Sequence, residues 1–322
     1  MTAASSSADQ RVVALCGGIG GAKLAYGLSR ILPPEDLTVI VNTGDDFHHF
    51  GLHVSPDIDT VIYTLADRAN SETGWGRDHE SWRFMEAMRE LGGPDWFNLG
   101  DTDLATKAFR TQRLSEGARL TEVTGEIARA LGVTCTILPA TDDPIPTIVE
   151  TPEGQMPFQH YFVRHRWQPV VRRLELDAAR NARVTSEVLE ALGQDDLHAI
   201  ILCPSNPYLS IDPMLAVPGI RQALRSSPAP VIAVAPLVGG EAIKGPLAKM
   251  MGELGLEVNL QTIADHYADF LDIFLVDVRD RDAPVSGPSI IHAQTVMTSV
   301  EDRTALAREV LFAAKGEVGR SS

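Results

Sequence analysis

A chain of 322 residues is long enough for one large domain or two small ones, at the usual ~100–200 residues per domain. With 44% hydrophobic and 22% charged residues it has the material for an ordinary packed core, which excludes a globally disordered chain. A net charge of −15 excludes general binding to nucleic-acid phosphates, but not one small phosphate ligand held by backbone amides, a lysine or a metal ion.

Residues 1–10 read as an Ala/Ser-rich tail without the apolar segment of a secretory leader, and no run of ~18 apolar residues follows. The expectation is a cytoplasmic protein with no membrane span. Residues 12–15 form a β-branched strand that stops at Gly17-Gly18-Ile19-Gly20-Gly21. A helix over 22–31 carries Leu24, Leu28 and Ile31 and is closed by Pro33-Pro34. Residues 37–41 are a second strand, ending in Asn42-Thr43-Gly44-Asp45-Asp46. Strand, glycine turn, helix and strand make a βαβ unit, and such continuous apolar runs belong to parallel strands covered on both faces.

A helix follows Pro56 over 57–65, with Asp57 as its N-cap. Further helices are expected at 82–91, 102–116 and 120–131, then a strand at 134–138. Residues 141–170 change to hairpin chemistry around Glu153-Gly154, the start of an antiparallel insertion over 141–192. Strands at 199–203, 231–234 and 273–276 restore the α/β rhythm. The expected fold is a single α/β domain over 11–322: a Rossmann-like, doubly wound, mostly parallel sheet with helices on both faces and an antiparallel insertion.

Cys16, Cys135 and Cys203 are far apart in apolar runs, so neither a zinc site nor a disulfide framework is expected. In open parallel sheets ligands bind beyond the carboxyl ends of the strands. Four polar clusters lie at such ends: 17–23, 42–46, 204–210 and 236–245. The first opens a helix, where bare amides and the helix dipole favour a phosphate. It is neither G-x-G-x-x-G, since Lys23 takes the third glycine's place, nor a P-loop. Asp45, Asp46, Asp57 and Asp59 fall within fifteen residues, and among them Asp45 and Asp59 are the expected contacts to a hard cation or substrate. Asp46 reads as a solvated loop charge. So, on their own, do Lys107 and Arg110, with Asp103 as a plain helix cap. His48, His49 and His53 are given no role.

Taken together, these segments resemble the 2-phospho-L-lactate transferase family of coenzyme F420 biosynthesis. The resemblance runs through Val12 to Lys23, Val41-Asn-Thr-Gly-Asp-Asp46, Ser55-Pro-Asp-Ile-Asp-Thr60, Gly74-Trp-Gly76 and Leu99-Gly-Asp101. It continues in Leu104-Ala-Thr106, Leu138-Pro139, Asp142-Asp143, Pro204-Ser-Asn-Pro207 and 236–245, in family order over nearly all of 11–300. It implies a Mg²⁺-dependent, homodimeric transferase without membrane or nucleic-acid partners. Its acceptor would be the deazaflavin Fo and its donor a guanosine-diphosphate-linked three-carbon acid, with GMP released. The acid is of the 2-phospholactate, phosphoenolpyruvate or phosphoglycerate type. Metal and catalytic roles fall on Asp45 and Asp59, with the choice of base left open. Substrate contacts fall on Gly18, Gly20, Gly21, Lys23, Asp57, Asp101, Thr102, Lys107, Ser205 and Asn206.

Two positions depart from the family pattern: Thr102 stands where Arg is expected, and Lys107 where His is usual. A related glycine-rich α/β group of regulatory nucleotide-sugar binders is the alternative reading, against which the Trp75, Asp101 and Ser205 motifs argue. Segments 141–170 and 239–244 are expected to close over bound substrates.

Overall fold

The computed structural model describes residues 11–70, 72–239, 241–242 and 246–317; the expected tail at 1–10 lies outside them. Seven strands form one parallel sheet: β1 (Arg11–Cys16), β2 (Leu37–Val41), β3 (Thr136–Pro139), β4 (Leu197–Leu202), β5 (Val231–Val234), β6 (Ile273–Asp277) and β7 (Ser289–Ala293). Their order is β7-β6-β5-β4-β1-β2-β3. From β1 the chain winds outward to β2 and β3, returns, and winds the other way from β4 to β7. The order therefore reverses between β1 and β4, the place where doubly wound folds open a crevice.

The strands are apolar on both faces because both are covered. Val13 and Leu15 of β1 join Ile40, Ile200 and Leu202 in one layer, while Val12, Ala14 and Cys16 join Val39, Ala199 and Ile201 in the other. That alternation is the two-residue period of a strand. The second layer is closed by helices α1 (Gly18–Ser29), α2 (Pro56–Leu65) and α5 (Leu120–Ala130), and by the C-terminal helix Val300–Glu317. Between α2 and α5 lie α3 (Arg83–Glu90) and α4 (Asp101–Ser115).

Between β3 and β4 the chain forms a three-stranded antiparallel sheet of Gly154–Pro157, Ile148–Thr151 and Arg173–Glu175, in that order. It packs through Val149, Phe158 and Tyr161 into the first layer. A small hairpin, Phe47–His49 with Leu52–Val54, leaves the carboxyl end of β2 and was not read from the sequence. Among the described residues, no helix is long and apolar enough to cross a membrane.

Candidate functional site

At the β1/β4 reversal the two strand ends are tied together. The Gly17 N–H donates to Ser205 Oγ (3.1 Å), and the same hydroxyl donates to the Gly17 carbonyl (2.8 Å). The approach is close enough that no side chain fits between. A Cβ on Gly20 would lie 2.5 Å from the Pro204 carbonyl oxygen; one on Gly21 would lie 2.5 Å from Ser205 Oγ and 2.7 Å from Cys16 Sγ. Gly18 has φ +62°, which glycine adopts at no steric cost. Its N–H donates to Asp57 Oδ1 (2.8 Å). Ile19 and Gly20 follow in the first turn of α1, whose amides have no intrahelical acceptor, and both line a cleft there.

This cleft encloses about 570 Å³. Its lining includes the helix start Gly17 to Gly20, Lys23, Ser205, Asn206 and the segment Thr295 to Thr298. Lys23 Nζ donates to the Met297 carbonyl (2.8 Å), joining α1 to that segment. Asp277, buried at the end of β6, accepts from the Thr295 N–H and hydroxyl (3.0 Å each) and fixes the segment from below. Apolar and aromatic residues line the cleft as well: Tyr63, Trp75, Trp96, Phe97, Phe158 and Phe162, together termed the aromatic wall. Phe158, Gln159, Phe162 and Val163 come from the insertion, and the last two lie in a π-helical turn, His160–Arg164. Of the second expected cover, residues 240, 243 and 244 lie outside the described residues.

The acids divide into two groups. Asn42 Nδ2 donates to Asp45 Oδ1 (3.1 Å) and to Asp57 Oδ2 (2.9 Å), so one amide holds both carboxylates. Burial, followed by the Asp57 charge, pushes the Asp45 carboxyl well above its usual range. Burial also pushes Asp57 up to about 6, against the hydrogen bonds from Asn42 and Gly18. Asp57 is therefore not the N-cap of α2, which is Ser55; its side chain turns back to the start of α1.

Asp59, paired with Asp45 in the sequence reading, faces elsewhere. It accepts from both terminal nitrogens of Arg110, one at 3.2 Å, and from Lys107 Nζ at 2.9 Å. Burial would raise its carboxyl, but the Arg110 and Lys107 charges prevail and hold it at about 2. Lys107 also bonds Asp103, which accepts the Tyr63 hydroxyl (2.7 Å). Arg110 is fully buried and Lys107 nearly so, which corrects the expectation of solvated charges. Asp46 is no solvated charge either: it accepts from Ser55 Oγ (2.7 Å) and lies 3.0 Å from His53 Nε2.

Of the expected contacts, Gly18, Gly20, Lys23, Asp45, Asp57, Asp59, Lys107, Ser205 and Asn206 line the cleft, and Gly21, Asp101 and Thr102 do not. Asp101 accepts from Ser81 Oγ (2.5 Å) and the Phe84 N–H (3.1 Å); Thr102 donates to Glu80 from its N–H (2.8 Å) and hydroxyl (2.6 Å). They clamp the loop before α3 onto α4. The aromatic wall was missed, although three of the four tryptophans crowd into residues 75–96.

Among the described residues no three His, Cys, Asp or Glu side chains converge as a closed metal cage. Two buried oxygen donors that have no cationic partner among the described residues, Asp45 and Asp57, nevertheless suit Mg²⁺, which takes one or two carboxylates and completes its shell with water and phosphate.

A parallel sheet with order 3-2-1-4, and a switch-point cleft joining a helix N-terminus to buried acids, define a Rossmann-type α/β protein suited to a phosphate-bearing small molecule. Comparison with known proteins makes the class specific. The family model described as 2-phospho-L-lactate transferase CofD matches residues 12–310. A 2-phospho-L-lactate transferase of Methanosarcina mazei is 38% identical over 306 residues, covering 94% of this chain and 100% of that protein. A phosphoenolpyruvate transferase of Kitasatospora aureofaciens is 39% identical over 316 residues, covering 95% and 98%. In structure, a UPF0052 family member of Bacillus halodurans superposes with a TM-score of 0.62 at 20% identity, covering 94% and 99%, which speaks to the fold alone. The chain belongs to the CofD family of 2-phospho-L-lactate transferases.

Proposed function

We propose that this chain transfers a phospho-three-carbon-acid group from a guanosine-diphosphate-linked donor to the terminal hydroxyl of the deazaflavin Fo. The hydroxyl oxygen forms a bond to the phosphorus that carries the acid. The bond from that phosphorus to the bridging oxygen breaks, and GMP leaves with that oxygen. The hydroxyl proton passes to a carboxylate. The observation that carries this reading is a single cleft lined both by a helix N-terminus of the phosphate-binding type and by a set of aromatic side chains.

The residues divide the work accordingly. The first amides of α1 and the Gly17–Ser205 junction cradle the donor's diphosphate. The aromatic wall takes the flat acceptor. Asp45 and Asp57 would hold Mg²⁺, which supplies charge neutralisation to phosphate oxygens when bound. Asp59 is already neutralised by Arg110 and Lys107, so its part is to fix those two cations beside the cleft. Phosphoryl transfer depends mainly on positioning and charge stabilisation, so a covalent nucleophile is not required.

Relatives of nearly equal identity bear the names of phospholactate and phosphoenolpyruvate transferases, so the acid itself is an experimental question. Mass spectrometry after incubation with Fo, Mg²⁺ and each guanosine-diphosphate-linked acid answers it. The expected result is one new deazaflavin phosphodiester with stoichiometric GMP. Intact Fo with every donor would overturn the reading.

A further inference from the structure

Residues 154–174 of the insertion carry four arginines and no Asp or Glu, in a chain whose net charge is −15. Arg164, Arg166, Arg172 and Arg173 are all exposed, and among the described residues none of the four forms an ion pair. Elsewhere on the surface arginines find carboxylates: Arg119 pairs with Glu187, Arg180 with Asp177 and Arg183 with Asp143. Two acids come near the basic segment. Glu150 stands opposite Arg173 across the antiparallel strands, and Glu253 is taken up by Lys249 Nζ (2.6 Å) and the Val171 N–H (3.0 Å).

The first two arginines lie beside the cleft. Arg164 ends the π-helical turn and directly follows Phe162 and Val163, which line the cleft. Consecutive Cα atoms are about 3.8 Å apart, and Arg166, three positions from Val163, is at most about 11 Å from it along the backbone. The Arg164 charge is felt at the aromatic wall. After burial, it is the largest influence lowering His160, whose ring packs on Trp96 at 4.6 Å between centroids. Arg166 and Trp167 have φ of +49° and +47°, a conformation that costs non-glycine residues energy and persists only where the surroundings hold it. Here the Trp167 N–H donates to the carbonyl of the buried Tyr161 (2.9 Å), and the Gln168 N–H to the His165 carbonyl (3.0 Å). The positive patch therefore has a defined place.

We propose that Arg164 and Arg166 steer the anionic donor into the cleft. This rests on the transfer reading above, in which the donor carries a diphosphate and a carboxylate. A protein of net charge −15 repels such a ligand at long range, and a cluster of cations beside the cleft reverses the field locally. Lys107 and Arg110 cannot serve, because Asp59 and Asp103 neutralise them. Charges act through water over about one Debye length, ~10 Å at 0.1 M salt, so steering needs proximity and no contact. The two arginines raise the rate of encounter and leave the bound complex unchanged.

The test follows association of GDP, fluorescently labelled on its ribose, by stopped flow from about 20 mM to about 0.5 M salt. It compares wild type with the double variants Arg164→Gln/Arg166→Gln and Arg164→Lys/Arg166→Lys, each confirmed as folded by circular dichroism. At low salt the Gln pair should associate about tenfold more slowly, the lower end of steering effects. The difference should vanish at high salt, with the dissociation rate unchanged throughout. The Lys pair should keep the wild-type rate, since charge alone is required. With the full donor, kcat/KM should fall by the same factor as the association rate, and kcat should not change. A wild-type association rate in the Gln pair at low salt overturns the proposal. So does a loss that persists at high salt or appears as faster dissociation, which would make the arginines donor contacts. An equal loss in the Lys pair overturns it too, by showing that shape and not charge matters. Failure of the wild-type protein to bind GDP at all, labelled or unlabelled, would instead overturn the transfer reading.

Discussion

Asp57 and Asp59 lie two positions apart on α2, roughly opposite each other around a helix, and they titrate in opposite directions. Burial raises both carboxyls. For Asp57 the two neutral donors, Asn42 and the Gly18 N–H, do not offset it, and the carboxyl rises to about 6. For Asp59 two cations outweigh it, and the carboxyl falls to about 2. The consequences for stability have opposite sign. The low value for Asp59 stabilises the fold above the unfolded carboxylate value of about 3.9, and this contribution is lost as pH falls through about 2. The raised value for Asp57 favours the fold below about 3.9, and this contribution is lost as pH rises through about 6. Urea denaturation in EDTA should therefore show wild type losing stability relative to Asp57→Asn between pH 4 and pH 7. A pH-independent difference would exclude the assignment. Asp59→Ala strands Arg110 as a buried, uncompensated charge and leaves Lys107 with Asp103 alone, at a cost of about 3–5 kcal/mol. Its melting temperature should fall sharply at neutral pH, so activity lost in this variant reports a damaged fold before it reports chemistry.

At the scale of elements, glycines set how closely α1 approaches its neighbours. Gly27 meets the C-terminal helix so tightly that a Cβ would lie 2.1 Å from the Arg303 carbonyl oxygen and 3.3 Å from Ala307 Cβ. Gly27→Ala gains helix propensity of up to ~1 kcal/mol but must push the helices apart, and overpacking of this kind costs about 1–3 kcal/mol or more. The net effect is a lower melting temperature with substrate contacts untouched; an equal or higher melting temperature would refute this packing argument. Gly21 is constrained in the same way by Ser205 and Cys16, so its substitution breaks the β1/β4 junction rather than blocking a phosphate. This distinction could not be read from the sequence. A glycine after a strand announces a tight turn, but whether its missing side chain makes room for ligand or for protein depends on residues 184 positions away. Asp101 and Thr102 were hidden for the same reason: a motif before a helix looks the same whether it faces a substrate or Glu80. Arg110 looked like a surface charge because its partner Asp59 lies 51 positions earlier in the chain.

For the whole molecule, the doubly wound sheet was legible because its strands are short apolar runs followed by polar turns, and local pattern carries that information. The edge strand β7, with four of its five residues only half-buried, has no such run and escaped notice. The crevice was legible in outline, since β1 and β4 both end in Gly, Ser or Asn clusters. Its aromatic wall was not, because it is assembled from the segment after β2 and from the insertion. That assembly has a dynamic consequence. The part of the insertion that reaches the cleft, Phe158 to Val163, is joined to the core through Phe158 and Tyr161 but presents Phe162 and Val163 to the cleft from a π-helical turn. Such turns are rare and recur at functional sites. With substrates bound, the wall gains contacts on its open side and its local opening becomes costlier. Hydrogen exchange should therefore slow across residues 158–164 when donor and Fo are both present, and less with either alone, while amides of β1 and β4 remain equally protected throughout. Closure of this wall would exclude water that competes with the acceptor hydroxyl for the activated phosphate. Equal exchange at 158–164 with and without ligands would make the wall static, and the exclusion of water would then have to come from elsewhere in the cleft.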